Sequence, residues 1–259
     1  MVYHLAANSN VRKGTRDTSI DFEQNLVGTR VLLECMRESA NCRRIVFTST
    51  STVYGEPKTI PTPESYGPLR PISLYGASKL GCEAMISAYN HLFGIESTIL
   101  RLANVVGPTS NHGVVYDLTR KLMRRNDGIK VFGDGTQRKS YLYVDDCLEA
   151  LLIAGTLKQN EPEVFNVGSS DSVAVTEVLR TIENVLGQRV NGNVEFKDNG
   201  DGRGWRGDVR EMRLDCSKLK GRGWKVRYDS HAAIETTVRN FLRTNTFEFG
   251  NDMRVASLI

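Results

Sequence analysis

The stretch that decides the fold is Arg44-Ile45-Val46-Phe47-Thr48-Ser49-Thr50-Ser51-Thr52-Val53-Tyr54-Gly55, followed by a Pro- and Gly-rich loop over 53–73 and then by Tyr75-Gly76-Ala77-Ser78-Lys79. Ile45-Val46-Phe47 is a short apolar run of strand-forming residues, read as a buried strand. It runs directly into the hydroxyl cluster Thr48–Thr52. A helix is predicted over 74–93, where Tyr75, Ser78, Lys79, Cys82, Met85, Ile86, Tyr89 and Phe93 share one face at i, i+3, i+4 spacing. Gly94 stops it, and Ile95–Leu102 reads as a second buried strand.

Working outward, Val2-Tyr3-His4-Leu5-Ala6-Ala7 predicts a short strand within residues 1–7. Over 18–38 the apolar positions Ile20, Phe22, Leu26, Val27, Val31, Leu32, Leu33 and Met36 predict a helix with one buried face, capped by Asp17 or Thr18. Strand, helix, strand, helix, strand defines an α/β fold with a parallel sheet and crossover helices. Beyond Gly107-Pro108 the texture changes. Helices are expected over 113–125, from a cap at Asp145 to 157, over 173–186, and near 215–220 and 230–243. Strands are expected over 129–132, 140–144, 163–167 and 193–197, with a tight turn at Gly133-Asp134-Gly135 and a Gly/Arg-rich loop at 200–210. The expected organisation is a first domain over 1–107, a smaller α+β domain over 108–244 with segments returning to the sheet, and a tail over 245–259.

The 259 residues suffice for one large domain or two modest ones. A charged fraction of 25% against 40% hydrophobic is that of an ordinary globular chain. The net charge of +4 is too small to argue for nucleic acid. No apolar run is long enough to span a bilayer, and no basic-then-apolar leader is read at residues 1–7, so the expected location is the cytoplasm. The five cysteines (35, 42, 82, 147, 216) contain no C-x-x-C pair and read as reduced, mostly core thiols. The four histidines show no metal-ligand spacing, and no metal is expected.

Tyr75 and Lys79 stand four apart on one helix and share a face. A cation beside a phenol stabilises the phenolate and lowers its pKa from about 10 toward neutrality, which would make Tyr75 a general base for an alcohol or sugar hydroxyl. By itself Y-x-x-x-K equally describes a core tyrosine with a snorkelling lysine. The hydroxyl cluster 25 residues upstream adds context, because it falls at the C-terminal end of a parallel strand, where open α/β sheets bind ligands.

Taken together, Ile45-Val46-Phe47, the Thr/Ser run, Val53-Tyr54-Gly55 and Tyr75–Lys79 resemble the extended short-chain dehydrogenase/reductase family, in its nucleotide-sugar epimerase/dehydratase branch. His4-Leu5-Ala6-Ala7 resembles its fourth-strand motif and Asn25-Leu26-Val27-Gly28-Thr29 its N-x-x-G-T helix. Arg101 to Pro108 resembles the crossing to the substrate domain. Gly133-Asp134-Gly135-Thr136-Gln137, Tyr143-Val144-Asp145-Asp146 and Phe165-Asn166-Val167-Gly168 resemble that domain's landmarks. The resemblance covers residues 1 to about 243 and implies a Rossmann-like domain, NAD as cofactor, a nucleotide-sugar substrate and a homodimer packed through the helices at 17–38 and 74–93.

The same resemblance implies roles. Tyr75 would be the catalytic base, Lys79 its partner and ribose ligand, and Thr50 the hydroxyl bonding the sugar oxygen that is oxidised. Asn25 would complete a tetrad. Ala6, Ala7 and Thr48 would lie against the dinucleotide. Asn104 and Lys139 would face the substrate phosphates; the family more often has arginine at the latter position, so a bidentate clamp becomes a point charge. Arg203, Arg206 and Asp208 resemble the nucleotide-binding R-x-G-D segment in an ambiguous register, and a solvated basic loop is the competing reading. His112 sits where substrate loops fall. Dehydrating members usually carry an acid just after the catalytic Thr/Ser; here Ser51 and Thr52 stand there and do not transfer protons at neutral pH. That pattern fits C4 epimerisation of a UDP-hexose, with dehydratase or reductase chemistry of the same family as the alternative.

The family's G-x-x-G-x-x-G loop, whose glycines let backbone approach a pyrophosphate at a helix N-terminus, has no counterpart; before residue 55 the only glycines are Gly14 and Gly28. Placing His4 in a fourth strand implies roughly 60 residues ahead of it and a bare apolar edge on the strand at 1–7. Three readings follow: an incomplete N-terminus, which is preferred; a truncated, inactive product; or a non-catalytic module that binds a partner through that edge. Weak retention of the dinucleotide by this chain is expected.

Overall fold

Alternation along two strands explains how the sheet is buried on both faces. Ile45, Phe47 and Ile99 pack with Leu33, Met36, Cys82 and Ile86 on one side, while Val46 and Leu100 pack with Cys147, Ala150, Leu151 and Ala154 on the other, as the period of two in a strand requires. The computed structural model describes residues 1–124, 128–157, 161–190, 193–198 and 200–245. Its main sheet holds β1 (Val2–His4), β2 (Arg44–Thr50), β3 (Glu96–Leu102) and β8 (Glu163–Val167). The order is β1-β2-β3-β8, and every pairing is parallel.

The helix expected over 18–38 is present in three pieces. Asp17 accepts from Ser19 N at 3.0 Å, α1 is Ser19–Asp21, a π-helical stretch spans Phe22–Val27, and α2 is Gly28–Glu38. Wide turns of this kind are rare and gather at functional sites; this one contains Asn25. The helix α3 runs Leu74–Phe93, with Ser73 accepting from Gly76 N at 3.1 Å and Gly94 closing it in the left-handed conformation. At Gly76 a Cβ would stand 2.9 Å from the Thr52 carbonyl oxygen, so only glycine lets the first turn of α3 press onto the end of β2.

The remaining elements are β4 (Asn104–Val106), α4 (Val114–Met123), β5 (Gly128–Phe132), β6 (Arg138–Lys139), β7 (Tyr141–Tyr143), α5 (Val144–Thr156), β9 (Val173–Ala174), α6 (Val175–Leu186), β10 (Asn193–Lys197), β11 (Glu211–Met212), α7 (Ser217–Lys220) and α8 (Ser230–Asn245). Of these, α5, β11 and α7 pack into the main-sheet core, while α4, α6, α8 and β5 form a second core around Leu118, Leu122, Tyr141, Val178, Ile182, Ile234 and Val238. Several expectations are corrected. The first strand ends at His4, so Ala6 and Ala7 lie in the loop after it. Asp145 does not cap α5; the helix begins at Val144, and Tyr143 precedes it without a side-chain cap. The C-terminal end of the helix expected at 113–125 and the tail from 246 onward fall outside the described residues.

One buried ion pair holds the sheet to α3. Arg101, buried near the C-terminal end of β3, donates Nε to Glu83 Oε1 at 3.0 Å and Nη2 to Oε2 at 2.6 Å. Both side chains are below a tenth exposed. Ser49 also donates to Glu83, and Arg101 Nη1 donates to the Tyr54 hydroxyl at 3.0 Å. Tyr54 in turn donates to Asn166 Oδ1 at 2.7 Å. The network therefore joins β2, α3, β3 and β8. Removing one partner leaves an uncompensated buried charge. Glu83→Gln is expected to lower unfolding stability in urea by about 3 kcal/mol, whereas Glu34→Gln, at the half-exposed Arg37 pair, is expected to cost far less.

Candidate active site

The carboxyl edge of the sheet gathers the hydroxyl cluster, the first turn of α3 and the loop after β1. Thr48 and Thr50 are buried at the end of β2. Thr48 Oγ1 donates to the His4 carbonyl at 3.2 Å. Thr50 Oγ1 lies 3.1 Å from Thr52 Oγ1 and accepts from Thr52 N at 3.2 Å. The Thr50 hydroxyl also acts on the Tyr75 phenol, favouring its ionised form. Tyr75 and Thr50 thus meet as the sequence predicts.

The expected acidification of Tyr75 is not present. Burial, then the negative charge of Asp21, push the phenol up to about 12, against the lowering by the Thr50 hydrogen bond. Lys79 does not offset this, because its ammonium is engaged below the phenol. Nζ donates to the Thr48 carbonyl at 2.8 Å and sits 4.5 Å from the centre of the Phe47 ring. Burial brings the Lys79 amine down to about 8, opposed by Cys82 and Glu83.

Asn25 is buried and reaches the site through a relay. Its Oδ1 accepts from Asn8 N at 2.7 Å, and its Nδ2 donates to Ser78 Oγ at 2.9 Å. Ser78 Oγ donates to the Tyr75 carbonyl at 2.8 Å. Asn25 therefore braces the turn that carries Tyr75. Ala6 is exposed and Ala7 half-buried at the end of β1, offering backbone and methyl groups at that edge.

The residues expected to face substrate phosphates divide. Lys139 Nζ donates to Asp208 Oδ1 at 2.7 Å. Arg203 Nη1 donates to Glu56 Oε1 and to the Asp208 carbonyl, both at 2.6 Å, and its Nε is 3.2 Å from Asp201 Oδ2. Lys139, Arg203 and Asp208 form one half-buried cluster, which Glu56 ties to the loop after β2. Arg206 is exposed beside it, so Arg203 is the arginine drawn into the cluster. Asn104 is exposed on β4, and exposed His112 has Nδ1 2.7 Å from Asn111 Oδ1; neither joins these contacts.

Sequence reasoning missed His4, Asp21, Glu56, Glu83 and Arg101. Arg101, set between Leu100 and Leu102 in a strand read as buried, and an acid four residues after Lys79, Glu83, were the available signal for a buried pair. His4 Nε2 lies 2.9 Å from Thr29 Oγ1. Thr29 spends its own hydrogen on the Asn25 carbonyl at 2.6 Å, so His4 Nε2 is the donor. Burial, reinforced by the charge of Lys79, lowers the imidazole to about 4.

Comparisons with known proteins give the family. Residues 1–168 match the family model described as NAD dependent epimerase/dehydratase family. A UDP-glucose 4-epimerase of Mycolicibacterium smegmatis is 31% identical over 247 residues, covering 93% of this chain and 75% of that protein. A crystal structure of a UDP-galactose 4-epimerase superposes with a TM-score of 0.81 at 38% identity, over 94% of this chain and 77% of the other. The UDP-glucose 4-epimerase of Thermotoga maritima, solved with UDP-glucose, gives a TM-score of 0.83 at 33% identity with the same coverages. The fold and site define a Rossmann-like enzyme of the short-chain dehydrogenase/reductase type. The chain belongs to the NAD-dependent epimerase/dehydratase family. Among the described residues, no helix is long and apolar enough to cross a membrane.

A histidine held neutral in the fold and free to protonate in the unfolded chain makes stability depend on pH. Its contribution is fully present above about 6.5 and is lost as pH falls toward about 4. Between pH 7 and 4 the protein is expected to lose on the order of 2 kcal/mol more than His4→Gln, screening allowed for, measured by urea unfolding at each pH.

Proposed function

We propose that the protein catalyses NAD-dependent C4 epimerisation of a UDP-hexose, interconverting UDP-glucose and UDP-galactose through a 4-keto sugar. The observation that carries this reading is the approach of the first turn of α3, which carries Tyr75, to the end of β2 at Thr50 and Thr52, where Ser51 and Thr52 rather than an acid follow the threonine. Thr50 orients the sugar 4-hydroxyl and Tyr75 removes its proton. After the keto sugar turns over, Tyr75 returns the proton to the 4-oxygen, so one group serves as base and then as acid. The hydroxyls of Ser51 and Thr52 do not supply the second proton transfer that elimination of water requires.

The residues present fit the nicotinamide-ribose end of the cofactor. Lys79 Nζ uses one donor on Thr48 O, leaving donors for a diol, while Ala6 and Ala7 place no bulk at the edge of β1. Bound NAD supplies a hydride acceptor that is regenerated in each cycle. Lys139 and Arg203 are suited to the substrate diphosphate, with Asp208 holding them in register until it binds. The assigned site is completed by Asn25 as brace, Thr48 beside the cofactor, and Asn104, His112 and Arg206 on the substrate side. Exposed Phe22, Val31 and Leu92 on the two helices beside the site support a homodimer packed through them, and the cytoplasm is the proposed location. Residues 1–107 serve the cofactor and most of 108–244 the nucleotide-sugar.

With NAD present the protein is expected to convert UDP-glucose into UDP-galactose, and Tyr75→Phe to lower kcat by about 10²–10⁴-fold with KM changed only a few-fold. A coupled assay for each sugar nucleotide reads both constants, and no conversion by the unsubstituted protein contradicts the proposal.

A further inference from the structure

The guanidinium of Arg203 has one filled end and one open edge. Nη1 donates to Glu56 Oε1 and to the Asp208 carbonyl, each at 2.6 Å, which uses both of its hydrogens. Nε and Nη2 find no hydrogen-bond acceptor among the described residues; Asp201 Oδ2 lies 3.2 Å from Nε as an ion pair. The Arg203 side chain is 20% exposed, so these idle donors sit at a largely buried edge. Such an edge matches the two oxygens of a phosphate or carboxylate, which it takes bidentately. Glu56, through its hydrogen bond, holds the guanidinium above its usual range against burial, while Asp201 adds charge alone.

We propose that the Nε–Nη2 edge of Arg203 takes the substrate diphosphate, and that Asp201 is the carboxylate which this ligand displaces. This rests on the reading that the substrate is a nucleotide diphosphate sugar, and it adds a residue that sets how tightly that ligand is held. The contacts join two cations, Lys139 and Arg203, to three carboxylates, Glu56, Asp201 and Asp208. A diphosphate entering a set already rich in acid is repelled unless one carboxylate withdraws. Asp208 is held at both oxygens, Oδ1 by Lys139 Nζ at 2.7 Å and Oδ2 by Gly204 N at 3.3 Å. Glu56 Oε1 accepts from Arg210 N at 3.0 Å as well as from Arg203. Asp201 has the weakest hold: it is half exposed, and only its Oδ1 is hydrogen-bonded, by the Arg203 backbone N at 3.1 Å. It therefore yields first, while Glu56 and the Asp208 carbonyl keep Nη1 fixed and the open edge aimed.

The test reads binding without turnover: UDP and uridine are titrated into the full chain by calorimetry at about 0.15 M salt, where distant exposed charges are screened. Asp201→Asn keeps the oxygen that accepts from Arg203 N and removes the charge beside Nε. It is expected to tighten UDP binding about three-fold and to leave uridine, which has no phosphate, unchanged. In an Arg203→Gln background the same substitution is expected to bring no gain, since the two residues act through one contact. Asp198→Asn, an equal charge change on an exposed residue that bonds Gly202 N instead, is expected to leave UDP affinity in place, and Glu56→Ala to bring no tightening. UDP binding that is absent from the unsubstituted protein, or unchanged or weaker in Asp201→Asn, overturns the proposal. So does an equal gain from Asp198→Asn or Glu56→Ala, or one that persists without Arg203. Failure to convert UDP-glucose while these UDP affinities hold would overturn the proposed reaction alone.

Discussion

The bidentate contact of Arg101 with Glu83 is the constraint on which the site depends. It fixes the height of α3 above the sheet, and α3 carries both Tyr75 and Lys79, eight and four residues before Glu83. Through the Tyr54 hydroxyl and Asn166 the same network secures the start of the long loop after β2 and the end of β8. Asn166 adds bonds to the Thr62 and Asp215 carbonyls at 2.9 and 3.0 Å, so the far end of that loop is also held. A purely apolar contact of similar volume could stabilise as well, but it would not fix orientation across four elements.

Around that anchor the site is assembled from groups that restrain one another. Ser73 starts α3, Gly76 lets its first turn reach the Thr52 carbonyl, and Ser78 links that turn to Asn25. Tyr75 therefore rests on a polar lattice that includes a π-helical turn, a geometry that propensity alone does not favour. Glu56 and Asp208 likewise hold Lys139 and Arg203 in place through direct hydrogen bonds.

Periodicity carried the fold a long way. The 3.6-residue pattern of 74–93, the apolar run at 45–47 and the strand within 95–102 were legible because both faces of the sheet are covered and few alternatives bury those residues. Three features were not legible. Asn25 lies in a π-helical turn whose apolar spacing still reads as an ordinary helix. Ala6 and Ala7 belong to a loop, because β1 has a hydrogen-bonded neighbour on one side and pairs only through Val2–His4. Above all, the acidity of Tyr75 could not be read from the spacing of Tyr75 and Lys79. Four residues on a helix bring two side chains to one face, but which group the ammonium bonds depends on the Thr48 carbonyl, the Phe47 ring and the depth of burial. The identities of the site residues were in the sequence; their electrostatics required the packing.

The account makes Tyr75 a handler of the hydroxyl proton only, with the hydrogen on C4 of the sugar leaving and returning to the same carbon. UDP-glucose carrying deuterium at C4, incubated with the protein and NAD in ordinary water and analysed by mass and magnetic-resonance spectrometry, tests this directly. The account predicts UDP-galactose that retains the label at C4, with none passing into water. Loss of the label to solvent, which would mean removal of a proton from carbon, would contradict it.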